Sequence, residues 1–167
     1  MIPEAPRPAA PERRATRALP ALDDRIFTVR AGDEWFGMPV ACVHTVFNIE
    51  ALTRIPLAPK AVVGLVNLRG RILTAVSLRQ RLGLPPAAGA QRLAIGIEHR
   101  GEALALLVDE AGDVLTLSEA DRIAPPRHMP AGRMLLTQSV FRLEDGLLCV
   151  LDMAAVFDLA PAGAAAA

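Results

Sequence analysis

The sequence predicts an all-β fold, on three observations. Short apolar runs separated by tight-turn residues recur four times between residues 25 and 151, the pattern of antiparallel hairpins. Those hairpins leave room for only short helices. Aromatic residues make up 4% of the chain and Tyr is absent, so the core has to be built from Leu, Val, Ile and Ala on many short strands. Such chains close into barrels to hide their sheet edges.

Taken in order, residues 25–30 alternate, with Ile26 and Thr28 on one face and Phe27 and Val29 on the other. Ala31-Gly32-Asp33-Glu34 turns the chain, and residues 35–40 return as the second strand. Residues 41–47 read as a helical turn after Pro39. Residues 61–66, the turn Asn67-Leu68-Arg69-Gly70 and residues 72–76 form the second hairpin. A short helix follows over residues 77–82, with Leu78 and Leu82 four apart and Gly83 as its stop. The third hairpin joins residues 93–97 to 103–108 through a turn at 98–102. The fourth joins 140–143 to 147–151 through Glu144-Asp145-Gly146, where Asp-Gly between apolar runs is a strong hairpin signal. Asp152 is placed to cap a last helix over residues 153–157.

The flanks differ in kind. Residues 1–22 carry Pro3, Pro6, Pro8, Pro11 and Pro20 without an apolar period and are expected to be a disordered arm. Residues 160–167 are Ala, Pro and Gly and are expected to fray as a disordered tail. One domain is expected over residues 23–159.

Composition excludes several classes of function. Eighteen Lys plus Arg balance eighteen Asp plus Glu, so no global field draws the chain to nucleic acid or an anionic membrane. The apolar runs are too short for a membrane helix, and residues 1–22 lack the apolar core of a signal peptide. A cytoplasmic protein is expected. Cys42 and Cys149 each sit inside an apolar run, as buried small hydrophobes do.

Catalytic patterns are weak. His44, His99 and His128 are far apart, and Cys42 with His44 is the one close pair of metal-type ligands, two short of a zinc site. Ser77, Ser118 and Ser139 stand in no nucleophile elbow. The run from Gly64 to Gly70 lacks the Lys-Ser/Thr pair of a phosphate-binding loop and leads into a strand. Asp109, Glu110 and Asp113 lack calcium-loop spacing and read as a solvated turn. No cofactor or metal is implied. The turn at Asn67-Leu68-Arg69-Gly70 is unusual differently: it puts an apolar residue and an arginine where a structural turn favours small polar residues. Either Leu68 tucks inward and Arg69 pairs with an acid, or the tip is a contact site, since arginine is enriched at interface hot spots.

The segment from Val62 through Val63-Gly64-Leu65-Val66-Asn67-Leu68-Arg69-Gly70-Arg71 to Ile72, followed by Val76, Leu78-Arg79 and Leu82-Gly83-Leu84, resembles the signature of the CheW-like adaptors of bacterial chemosensory arrays. Gly32-Asp33-Glu34, Phe36-Gly37, Arg54-Ile55-Pro56, Val108-Asp109-Glu110, Asp113-Val114, Asp145-Gly146 and Leu151-Asp152 extend the resemblance over residues 23–159. It implies two small SH3-like five-stranded β-barrel subdomains packed together across a hydrophobic seam, with short helices. It implies a non-catalytic adaptor coupling the cytoplasmic tip of methyl-accepting chemoreceptors to the regulatory domain of the histidine kinase CheA. Val43 and Val46 would lie near the receptor groove, and Arg69 on the coupling tip with Leu68, shaped by Gly64 and Asn67. Two departures stand out. Val43-His44-Thr45-Val46 replaces a Val-x-Glu-Ile pattern, and Gln138-Ser139 stands where relatives carry a glycine and an apolar residue. The alternative reading is a small-molecule-binding β-barrel or an enzyme using Cys42 and His44.

Overall fold

The computed structural model describes residues 25–159, so the expected arm at 1–22 and tail at 160–167 lie outside the described residues. Twelve strands and three short helices are described. The first hairpin is β1 (Arg25–Ala31) and β2 (Glu34–Pro39); a 3₁₀ turn at Val40–Cys42 leads to β3 (Val43–Asn48) and β4 (Leu52–Thr53). Then come β5 (Val62–Leu68), β6 (Arg71–Ser77), α1 (Leu78–Arg81), β7 (Leu93–His99) and β8 (Glu102–Val108). The remainder is β9 (Glu110–Thr116), β10 (Arg122–Ile123), α2 (Ala131–Leu136), β11 (Thr137–Leu143), β12 (Gly146–Leu151) and α3 (Met153–Val156).

The strands form two six-stranded sheets, ordered β10-β11-β12-β2-β1-β9 and β3-β7-β8-β6-β5-β4. Both follow one plan: two hairpins joined through their second strands, which run parallel (β12 with β2, β6 with β8). Each sheet is completed by two edge strands consecutive in sequence. That detail forces closure. Six strands laid flat span about 24 Å at 4.8 Å per gap, whereas the four residue steps from Asn48 to Leu52 reach about 14 Å at most. The six steps from Thr116 to Arg122 reach about 21 Å. Each sheet must therefore curl until its edges approach. The sixth strands, β4 and β10, are two residues long; without them each barrel has the five strands expected.

Alternation on these strands builds three cores. Ile26, Phe141, Leu148 and Val150 fill the first barrel, and Ile49, Val66, Leu73, Ala75, Ala94, Ala105 and Leu107 fill the second. The largest cluster lies between the sheets, where Val29, Phe36, Met38, Cys149 and Leu151 meet Val76, Ile95, Ile97, Leu106 and Val108. A strand lining both a barrel and the seam is buried on both faces. Hence the unbroken apolar runs at 103–108 and 147–151.

Ser77 Oγ and Asp152 Oδ1 accept the N-cap hydrogen bonds of α1 and α3 from Gln80 N–H and Ala155 N–H; the Asp152 cap is the one the sequence predicted. Two expectations are corrected. Residues 41–47 are not a helical turn: after the short 3₁₀ turn they continue as β3, because pairing with β7 supplies the backbone partners a lone turn would lack. Residues 109–113 are not a solvated turn either. Glu110 opens β9, paired with β1, and Asp109 is mostly buried.

Candidate interaction site

The β5–β6 hairpin carries the tip singled out in the sequence. Leu68 pairs with Arg71, leaving Arg69 and Gly70 as a two-residue loop at φ of 52° and 83°. Positive φ at both positions is the type I′ turn, whose twist matches that of the strands. Asn67 Oδ1 accepts a hydrogen bond from Gly70 N–H at 2.8 Å and fixes the loop. Leu68 is half-buried against the second barrel's core, so it does tuck inward. Arg69 is exposed and forms no salt bridge among the described residues. Gly64 lies away from the tip, in mid-strand, where β4 crosses so close that a Cβ would collide with the Thr53 carbonyl oxygen.

Val43 and Val46 sit on β3 at the opposite edge of the sheet. Three residues apart, they would ordinarily face opposite sides of a strand. A bulge at His44 changes the parity: Val43 pairs with Ile97 and Val46 with Ile95, and both partners point into the seam. Directly paired residues share a face, so Val43 and Val46 share the outer face of the second barrel. Val43 is half-buried on the seam core and Val46 is 42% exposed. Val43 also stands at the end of the barrel where the hairpin tips project, because its partner Ile97 lies two residues before the β7–β8 loop base at His99.

Cys42 and His44 do not share a face. Cys42 lies in the 3₁₀ turn, half-buried against the seam, and burial pushes its thiol above the usual range. His44 is the exposed bulge residue, its Nε2 3.6 Å from Glu98 Oε2. No group of three or more His, Cys, Asp or Glu among the described residues is arranged to hold a metal ion.

The twin-barrel architecture and the Asn-Leu-Arg-Gly tip fit one known family, and residues 25–160 match its model, the CheW-like domain. The chain belongs to the CheW-like family. A chemotaxis protein CheW of Rhizobium meliloti is 29% identical over 133 residues, covering 79% of this chain and 86% of that protein. A probable chemotaxis protein CheW of Rhizobium etli is 26% identical over 144 residues, 86% of this chain and 93% of that protein. The crystal structure of the scaffolding protein TtCheW from Thermoanaerobacter tengcongensis superposes with a TM-score of 0.71 at 23% identity, covering 81% of this chain and 93% of that one. This likeness supports the fold.

Within this CheW-like domain the sequence reading missed a polar hub. Asp109, the single residue between β8 and β9, accepts hydrogen bonds from Arg79 Nε at 3.0 and 2.9 Å, Gly32 N–H at 2.7 Å and Gln91 Nε2 at 2.6 Å. Arg79 Nη2 lies 2.8 Å from Asp109 Oδ2. Gly32 belongs to the first barrel, and Arg79 and Gln91 to segments beside the second, so the carboxylate ties the subdomains together. Arg79 in Leu78-Arg79 and Asp109 in Val108-Asp109 were both visible as motif residues, but nothing local signalled that they pair. The seam ends in an open cleft of about 610 Å³ between the β7–β8 hairpin and α3, lined by Thr74, His99, Glu102, Leu104, Ala155 and Phe157. His99 and Phe157 rings pack there with centroids 5.7 Å apart. No helix among the described residues is long and apolar enough to cross a membrane.

Proposed function

We propose that this chain is a non-catalytic adaptor of a chemosensory array, joining the cytoplasmic tip of methyl-accepting chemoreceptors to the regulatory domain of the histidine kinase CheA. It would work in the cytoplasm and be recruited to membrane-associated receptor arrays. Its relatives are named chemotaxis proteins, and the structural relative a scaffolding protein. The observation that carries the reading is the convergence of Val43 and the Arg69 tip at one end of the second barrel, with Val46 on the same outer face as Val43. An aliphatic pair and an exposed arginine on one barrel suit a protein partner: the pair supplies burial and the arginine a directional anchor. The Cys42–His44 alternative loses support, because a nucleophilic thiol needs a lowered pKa and burial raises this one.

An adaptor must hold two partners at once, so its surfaces have to be separable. Val43→Asp removes one aliphatic contact and obliges the receptor complex to desolvate a carboxylate, on the order of 2–4 kcal/mol or about thirtyfold to a thousandfold in affinity. Binding to the kinase regulatory domain should change far less. The measurement is a separate titration of each partner fragment after circular dichroism shows a folded variant. Val46→Asp, at the more exposed position, serves if Val43→Asp does not fold. Equal losses for both partners in a folded variant would sink the two-surface reading.

A further inference from the structure

The Arg69 tip has a twin. Arg100 and Gly101 close the β7–β8 hairpin at φ of 51° and 78°, and His99 pairs with Glu102 at its base as Leu68 pairs with Arg71. The first position of a type I′ turn favours Asn, Asp or Gly. A Cβ-bearing arginine works against that geometry, and the chain accepts one at both tips. Backbone conformations held against preference mark positions retained for something other than the turn.

The tips are also neighbours. β6 runs parallel to β8 with Thr74 beside Leu104, so three residues earlier Arg71 stands level with Gly101 and both loops project from the same end. With the strands ordered β7-β8-β6-β5, the tip centres are two strand spacings apart, about 10 Å. Arg69, Arg71 and Arg100 are all exposed, and none forms a salt bridge among the described residues. Ile72 lies on β6 between the tips, 56% exposed and on the outer face with Thr74. Among the described residues the acids at this end are Glu102 at the base of the second tip, Glu98 opposite His44, and Asp158, which lines the same cleft as Arg100.

We infer that the Arg69 and Arg100 tips form one two-pronged cationic clamp, with Ile72 as its apolar centre, that docks a helix presenting two carboxylates two turns apart. Residues seven apart on a helix are about 10.5 Å apart on one face, matching the tip separation. The side chain three or four residues along lies between them and meets Ile72. The inference rests on the adaptor reading and specifies its receptor side: a receptor coiled coil offers such a helix, whereas a CheW-like kinase domain offers strands.

The test is Arg100→Asn in the full chain, because asparagine suits the turn better than arginine. Its melting temperature should hold or rise. Its affinity for a receptor tip fragment from the same genome should fall about tenfold, and that of the Arg69→Asn/Arg100→Asn double variant about a hundredfold. The loss should shrink as salt is raised from low ionic strength, since the removed contact is ionic. Neutralising two fragment acids seven residues apart should reproduce the loss of the Arg69→Asn/Arg100→Asn variant without adding to it. Affinity for the kinase regulatory domain should stay within about twofold. A wild-type chain that binds neither fragment overturns the adaptor reading, and the clamp with it. A wild-type chain that binds the receptor tip, beside an Arg100→Asn variant that keeps that affinity or loses only the kinase domain, overturns the clamp alone.

Discussion

At Asp109 the chain passes from one barrel to the other in a single residue. Burial alone would raise the pKa of its carboxyl. The hydrogen bonds donated by Arg79, by the Gly32 N–H and by Gln91 outweigh that effect and hold it below its ordinary value of 3.8. Arg79 responds in kind: the hydrogen bond to Asp109 raises its pKa further. A carboxyl whose pKa is depressed by folding contributes stability that is fully present above the unfolded value and is lost as pH falls through the folded one. Asp109→Asn should therefore cost about 2–3 kcal/mol at neutral pH, the scale of charge-assisted hydrogen bonds. The gap between wild type and variant should close progressively below about pH 4. Urea unfolding at neutral pH and at successively lower pH checks both statements; a gap independent of pH would assign the cost to packing. The Arg30–Glu110 pair beside it, 3.0 Å long and partly exposed, adds little.

Among the elements, the link between β4 and β5 is the most exacting. β4 reaches the sheet only because Gly64 offers no side chain to the Thr53 carbonyl. Gly64→Ala should push the two-residue strand off the edge, costing roughly 1–3 kcal/mol. In hydrogen exchange the amides of residues 52–53 and 65–66 should lose protection before those of β7 and β8; uniform loss would place the strain elsewhere. The same element shows what could be read from sequence. All four hairpins were legible because their turns are written locally: Gly32-Asp33, Gly70, Gly101 and Asp145-Gly146, each between apolar runs, mark a reversal without reference to the rest of the chain. The strands β3, β4, β9 and β10 were not. β3 carries His44, Thr45 and Asn48, and β9 carries Glu110, Gly112 and Asp113; such edge strands owe their conformation to a partner distant in sequence. α2 was missed because its cap residue is Pro130, without the carboxylate signal that marked α3 or the glycine stop that marked α1. Of the candidate site, the Arg69 tip was legible for breaking a turn rule. Arg100 breaks the same rule, but only the parallel register of β6 and β8 makes it a neighbour. The shared face of Val43 and Val46 depends on a bulge that no local pattern announces.

For the molecule as a whole, the largest core belongs to neither barrel. The seam takes side chains from both sheets and from α1, α2 and α3, so each subdomain lacks a large part of its buried surface without the other. Unfolding should be a single transition. Trp35, the one tryptophan, packs against the core of the first barrel, so its fluorescence reports that barrel, while far-ultraviolet circular dichroism reports both. Leu106→Ala, on the seam face of the second barrel, should lower stability by about 2–5 kcal/mol and shift both signals together. Separate midpoints would show that the barrels unfold independently.

The order of strands also sets a timetable. Residues 43–108 hold every strand of the second barrel, uninterrupted, while the first barrel begins at β1 and finishes only with β12. On a ribosome that delivers the chain from its N-terminus, the second barrel can complete its pairing while the β1–β2 hairpin still has two bare edges, awaiting β9 on one side and β12 on the other. The first described strand to be made thus belongs to the last barrel closed. The interval between synthesis of residues 39 and 151 is when a nascent chain is most open to pairing with the wrong neighbour.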